Sequence, residues 1–166
     1  MRFCGDSMER YVAFFRGINV GGKNKAAMAE LKQMFVDLGP ADAKTYLQSG
    51  NVVFSSTEDK ATLTALLRPA FESRFGFRSE VMLRTGAELA VILAALPFGA
   101  AQVEEAEKQA PDVEHLYVYF ADTVLDQERI RQLCAGYDGD DRLFATEYEI
   151  YLLCSQSIRD SRLAAA

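Results

Sequence analysis

Apolar residues along this chain occur in short runs whose spacing alternates between that of strands and that of helices. Tyr11–Phe15 is an unbroken aliphatic and aromatic run, the pattern of a buried strand. Met28, Leu31, Phe35 and Leu38 then recur at three- and four-residue intervals, which predicts a helix stopped by Gly39-Pro40. Lys44–Gln48 and Val52–Ser55 read as two short strands, and Ser49-Gly50-Asn51 between them has the chemistry of a hairpin turn. Leu63, Leu66, Leu67, Ala70 and Phe71 mark a second amphipathic helix, stopped near Gly76. Arg78–Arg84 reads as a strand with Val81 and Leu83 on one face and Glu80, Met82 and Arg84 on the other. The resulting order, β-α-β-β-α-β, is that of a ferredoxin-like split βαβ unit.

The pattern then begins again. Thr85 and Glu88 have the spacing of a capping box, and Leu89, Ile92, Leu93 and Leu96 form the stripe of the helix it opens. Pro97-Phe98-Gly99 ends that helix. Ala101–Asp112 is acidic and reads as a loop or a short exposed helix. His115–Phe120 is a strand, Gln127–Cys134 a helix closed by Gly136, and Leu143–Thr146 with Glu149–Leu153 a hairpin. Ile158–Ala166 begins a last helix. This second order, α-β-α-β-β-α, resembles another such unit lacking its last strand. The expected fold class is therefore α+β, with two ferredoxin-like halves at 9–84 and 85–166. No Pro- or Ser-rich linker separates them, so we expect them to pack as one compact body.

Composition narrows the setting. With 49% hydrophobic and 25% charged residues among 166, the chain is an ordinary globular sequence. It has no run of about 18 apolar residues, so no membrane span is expected. Met1–Arg10 lacks the apolar core of a signal peptide, which points to the cytoplasm. Cys4, Cys134 and Cys154 are odd in number, widely spaced and without a Cys-x-x-Cys pair, which argues against a disulfide framework or a zinc site. Cys134 and Cys154 lie in apolar contexts and are expected as buried small hydrophobes.

Charge is distributed unevenly. Residues 1–86 carry 12 Lys and Arg against 9 Asp and Glu, a balance of +3; residues 87–166 carry 6 against 15, or −9. The acidic half repels phosphate backbones and disfavours nucleic acid as a partner. A local basic site on the first half stays open.

That possibility centres on Arg16-Gly17-Ile18-Asn19-Val20-Gly21-Gly22-Lys23-Asn24-Lys25, which follows a strand and precedes a helix. Glycines allow backbone N–H groups to approach an anion closely, and a helix N-terminus adds partial positive charge. Arg16, Gly17, Asn19, Gly21, Gly22, Lys23, Asn24 and Lys25 are the candidate ligand-binding residues, with Arg16 able to make a bidentate contact. The competing reading is structural. Gly17, Gly21 and Gly22 would only permit a tight turn, with Asn19 or Asn24 capping the helix. Gln48, Ser49 and Asn51 form a secondary candidate group, though turn geometry alone explains such residues. In a simple split βαβ unit we expect the hairpin and the end of the first strand at opposite ends of the sheet, which argues against one shared site.

Gly17 to Lys23 also fits G-x-x-x-x-G-K, but Asn24 stands where a Mg²⁺-binding Ser or Thr is required. Asp122, after an apolar strand, is the positional candidate for an acidic ligand if the chain is a Mg²⁺-dependent enzyme. His115 is the sole histidine and a poor basis for a triad or metal site. Glu104, Glu105 and Glu107 are expected as a solvated face. Tyr117, Tyr119 and Phe120 lie on an acidic half, where core packing is preferred over base stacking.

Two long stretches carry a resemblance. Tyr11-Val12-Ala13-Phe14-Phe15-Arg16-Gly17-Ile18-Asn19-Val20-Gly21-Gly22-Lys23-Asn24 and Thr45-Tyr46-Leu47-Gln48-Ser49-Gly50-Asn51-Val52-Val53-Phe54 resemble signatures of the domain-of-unknown-function 1697 family. Leu96-Pro97-Phe98 and the Arg159–Leu163 region look like later family positions. The resemblance implies a bacterial-type cytoplasmic protein with a duplicated ferredoxin-like architecture. It implies no established activity, cofactor or catalytic residue. Members typically begin close to the first strand, so Met8 is a candidate start with Met1–Ser7 upstream of it. They typically continue past the last helix into a segment with Arg-Asn-Trp, so we expect a further tail beyond Ala166.

The functional expectation is a protein that binds a small phosphorylated or otherwise anionic ligand at the Gly17–Lys25 loop. The alternatives are a Mg²⁺-dependent enzyme on a nucleotide or phosphate ester, and an assembly module that offers sheet edges to protein partners. The sequence specifies neither cofactor nor oligomeric state, and it presents no metal site.

Overall fold

The computed structural model describes residues 7–40 and 42–166; Cys4 and most of the stretch before Met8 lie outside them. The chain divides into two compact units between Ile92 and Leu93, inside one helix.

In the first unit, β1 (Glu9–Phe15), α1 (Met28–Asp37), β2 (Lys44–Tyr46), β3 (Asn51–Ser56), α2 (Lys60–Phe75) and β4 (Val81–Thr85) follow in sequence. Their sheet has the order β2-β3-β1-β4, and β1 is antiparallel to both its neighbours. This is the arrangement of a split βαβ unit: β3 inserts between β1 and β2 and runs against both. Alternation along the strands turns Tyr11, Ala13, Phe15, Val52, Phe54, Val81 and Leu83 to the helices, where Leu31, Phe35, Leu67 and Phe71 meet them. The aromatic centre is tight, with Phe15 stacked on Phe71 and Phe35 tilted against Phe54, each pair with ring centroids 4.9 Å apart.

The helix ends follow local chemistry. Asp59 accepts from the Thr62 amide at 2.8 Å to open α2, and Gly76 closes it at φ 75. The Thr85–Glu88 box forms in both directions, at 2.7 and 3.1 Å. It opens α3 (Gly86–Ala94), and Glu88 also pairs with Lys60, which ties the start of α3 to the first unit. Leu66 and Leu93, expected on apolar stripes, are instead exposed.

The second unit continues with α4 (Ala100–Gln109), β5 (Leu116–Phe120), α5 (Gln127–Ala135), β6 (Arg142–Ala145), β7 (Glu149–Leu153), a 3₁₀ turn at Ile158–Asp160 and α6 (Arg162–Ala165). Its sheet has the order β5-β7-β6, antiparallel throughout. This matches the first sheet without a counterpart of β4 among the described residues. Leu152, Cys154 and Leu163 form the buried centre, with Tyr117, Leu133, Tyr137, Leu143 and Ile158 packed against them.

The acidic 101–112 stretch, expected as a loop or a short exposed helix, takes the helical form over Ala100–Gln109, with Ala106 buried. Two expectations for this half need correction. Ile158–Ala166 is not one helix: Ser161 breaks it, giving its hydroxyl to Asp141 at 2.7 Å and accepting from the Ala164 amide at 3.0 Å. Cys134 is exposed, since α5 buries no residue fully. No helix among the described residues is long and apolar enough to cross a membrane.

Candidate functional site

The glycine loop between β1 and α1 is held in one shape by asparagines. Asn19 donates from Nδ2 to the carbonyls of Ala26 at 2.9 Å and Gln48 at 3.0 Å, and its Oδ1 accepts from the Ala26 amide at 2.9 Å. Asn24 donates to the Gly17 carbonyl at 3.2 Å, and its own carbonyl accepts from the Asn19 amide at 3.0 Å. Five residues of the loop take left-handed backbone conformations: Gly17, Asn19, Gly21, Gly22 and Asn24. Glycine and asparagine are the residues that tolerate this region, which explains their density here. The base of the loop is anchored to the residues just before β4, where Arg16 donates its amide to the Glu80 carbonyl at 2.9 Å and Ser79 donates to the Arg16 carbonyl at 2.9 Å.

The loop and the β2–β3 hairpin meet, contrary to the expectation that they lie at opposite ends of the sheet. In a split βαβ unit β1 and β2 are parallel, so the end of β1 and the turn after β2 share one sheet end. Phe14 pairs with Asn51, and Asn51 with Tyr46, in one row across three strands. The Phe15 amide donates to the Gly50 carbonyl at 3.2 Å. Gly50 is required for this junction: a Cβ there would lie 2.3 Å from Ile18 Cδ1, and its φ is 82. The turn itself runs from Leu47 to Gly50, with Asn51 already in β3.

The candidate residues therefore fall into two roles. Asn19 and Asn24 have their amide groups engaged with backbone. Neither caps α1, whose N-cap is Ala27 and makes no side-chain cap bond. Arg16, Lys23 and Lys25 are exposed and form no ion pair among the described residues. Five other cations of this unit are paired, Arg10 with Asp42, Lys60 with Glu88, Arg68 with Glu80, Arg74 with Asp37 and Arg78 with Glu72, while Lys32 and Lys44 are exposed like the loop cations. Ser49 accepts from Asn51 Nδ2 at 3.1 Å. The loop and the β2–β3 junction also carry three exposed apolar side chains that sequence reasoning passed over: Val20 at 67%, Tyr46 at 64% and Leu47 at 66% exposure. The signal was present in the chain, since Leu47 is an apolar residue in a hairpin turn, and it adopts φ 58.

The loop is not a P-loop. Its helix begins at Met28, beyond Lys23 and Asn24, and its strand belongs to an antiparallel sheet, whereas a P-loop passes directly from strand to helix. Among the described residues no group of three or more His, Cys, Asp or Glu is arranged to hold a metal ion. Asp122 follows β5 in the second unit and is engaged in an interaction of its own.

The polar cluster of the second unit has a structural role. Asp141, 5% exposed, accepts from Tyr137 at 2.9 Å, from the Ser155 amide at 2.9 Å, from the Ser155 hydroxyl at 3.1 Å and from Ser161 at 2.7 Å. Burial works to raise its pKa, but the bonds from Ser161, Ser155 and Tyr137 outweigh it and hold the carboxyl below its ordinary value. Burial pushes the Cys154 thiol up. His115 is buried between backbone carbonyls, with Nδ1 2.7 Å from Cys154 O and Nε2 3.0 Å from Ala110 O. Glu107, expected as purely solvated, reaches His115 Nε2 at 3.3 Å. Tyr117 packs on the core of this unit, whereas Tyr119 is exposed.

Residues 8–151 match a family model described as "Protein of unknown function (DUF1697)". The chain is also similar to a solved structure, that of conserved bacterial protein SP0830 from Streptococcus pneumoniae. The two share 30% identity with a TM-score of 0.69, over 89% of this chain and 77% of that one. Among curated proteins no sequence matches.

Proposed function

The chain belongs to the DUF1697 family, whose description carries no activity, and we propose from the site alone that it is an anion-binding protein of the cytoplasm. The binding surface is the end of the first sheet where the Gly17–Lys25 loop meets the β2–β3 hairpin. One observation carries this reading: Arg16, Lys23 and Lys25, without ion partners among the described residues, stand on a loop whose backbone is clamped by Asn19 and Asn24.

Clamping matters because a ligand that must order its own loop loses affinity to that ordering. Here the ordering is supplied by intramolecular hydrogen bonds. Arg16 offers a planar fork for a phosphate or carboxylate, and Lys23 and Lys25 act as compact point charges. At an exposed surface each such contact contributes up to about 1 kcal/mol and weakens with salt.

A thermal-shift series with phosphate, tripolyphosphate, sugar phosphates and simple carboxylates tests this. An anion at about 100 times its Kd stabilises the folded state by about 2.7 kcal/mol. For a chain of this size that raises Tm by roughly 5–10 °C. The shift should disappear in an Arg16→Ala, Lys23→Ala double variant whose unliganded Tm is unchanged. No shift with any anion, or an equal shift in the double variant, would refute the assignment.

A further inference from the structure

We infer that the anion recognised at this surface is carried on a polypeptide: an acidic segment whose carboxylates alternate with apolar side chains. The inference rests on the anion-binding reading above and adds the class of partner.

The surface combines two kinds of group that a simple anion would not use together. Arg16, Lys23 and Lys25 supply charge. Val20, Tyr46 and Leu47 are each about two-thirds exposed. The Asn19–Gln48 hydrogen bond at 3.0 Å joins the loop to the hairpin turn, and Val20 and Leu47 are each one residue from that junction. Tyr46 leads into the same turn. Scattered exposed apolar residues are ordinary, but several together within a charged rim mark an interaction surface. An apolar centre with an aromatic residue and a polar rim is the anatomy of a protein interface.

Leu47 strengthens the case. A leucine at φ 58 is strained by about 1 kcal/mol or more, and its side chain gains no compensating burial within the unit. Exposure points the same way. Arg16, Lys23, Lys25, Val20, Tyr46 and Leu47 are all exposed, which suits an extended chain better than an enclosed small molecule. β2 is the edge strand of its sheet, so a peptide can also add along it. Single-stranded nucleic acid could use the cations and Tyr46. It gains little from the aliphatic Val20 and Leu47.

The test uses the full chain and fluorescence anisotropy with two labelled peptides of equal length and charge: four repeats of Glu-Glu-Leu, and four repeats of Glu-Glu-Ser. Tripolyphosphate and an oligothymidylate serve as competitors. The leucine peptide should bind about tenfold more tightly than the serine peptide, a difference of about 1.4 kcal/mol. A Tyr46→Ser, Leu47→Ser variant should bring that ratio near one while keeping binding of the serine peptide. Lys23→Ala, Lys25→Ala should weaken both peptides. Equal binding of the two peptides by the parent protein would overturn the inference and leave the anion-binding reading standing. So would binding of tripolyphosphate or oligothymidylate without either peptide. Failure of every anion would overturn both. Because both exposed positions are replaced by polar residues, the variant should fold, and circular dichroism confirms that it does.

Discussion

Asn19→Ala is the substitution that separates a clamped loop from a merely permissive one. Asn19 makes three hydrogen bonds with its side-chain amide, two to the Ala26 backbone and one to the Gln48 carbonyl, all between 2.9 and 3.0 Å. They join the loop to the start of α1 and to the β2–β3 turn. At about 1 kcal/mol net each, their loss costs about 3 kcal/mol. Alanine at φ 56 adds about 1 kcal/mol, because its Cβ crowds the left-handed backbone that asparagine tolerates. The expected total is about 4 kcal/mol, or a drop in Tm of roughly 10 °C. The chain contains no tryptophan, so urea unfolding followed by far-UV circular dichroism is the suitable assay. Asn19→Gly is the control: it loses the same bonds without the backbone strain and should be about 1 kcal/mol less destabilised. A loss below about 1 kcal/mol for Asn19→Ala would refute the argument that this side chain holds loop and hairpin together.

Further consequences can be checked in the same way. Gly50→Ala places a Cβ against Ile18, which is 2% exposed and has no room to withdraw, at φ 82; we expect a loss of about 3 kcal/mol in urea unfolding. Gly17→Ala, with open space around its Cβ at φ 69, should cost only about 1 kcal/mol in the same assay. In the second unit, Asp141→Asn turns an amide toward groups that donate to the carboxylate, and should cost about 2–4 kcal/mol by thermal unfolding. Because the Asp141 carboxyl is held below its ordinary value, its contribution is complete above about pH 4. It is lost as pH falls through the lower folded-state value, so the acid limb of a stability–pH curve should be shallower in Asp141→Asn than in the parent.

Much of the architecture was legible in the sequence because strands and helices here obey simple periodicities. Tyr11–Phe15, the Val81 and Leu83 alternation and the Thr85–Glu88 box each appear where local pattern places them. The misjudgements arise where non-local contacts decide. Convergence of the loop and hairpin depends on β1 and β2 running parallel, a property of the whole sheet. The role of Asn19 rests on bonds spanning 7 and 29 residues. Ser161 interrupts the last helix because Asp141, 20 residues away, takes its hydroxyl. The candidate surface was half visible. Its cations and glycines stand in one contiguous loop, whereas the apolar Val20, Tyr46 and Leu47 gain meaning only once the turn is seen to remain exposed.

The most direct test of the central claim, that loop and hairpin form one anion-binding surface, is an amide NMR titration of the ¹⁵N-labelled protein with tripolyphosphate. Amides of Gly17–Lys25 and of Gln48–Asn51 should shift together, along a single binding curve. Amides around Asp141 in the second unit should stay in place. Shifts confined to the second unit, loop shifts without the hairpin, or no saturable shift at all would contradict it.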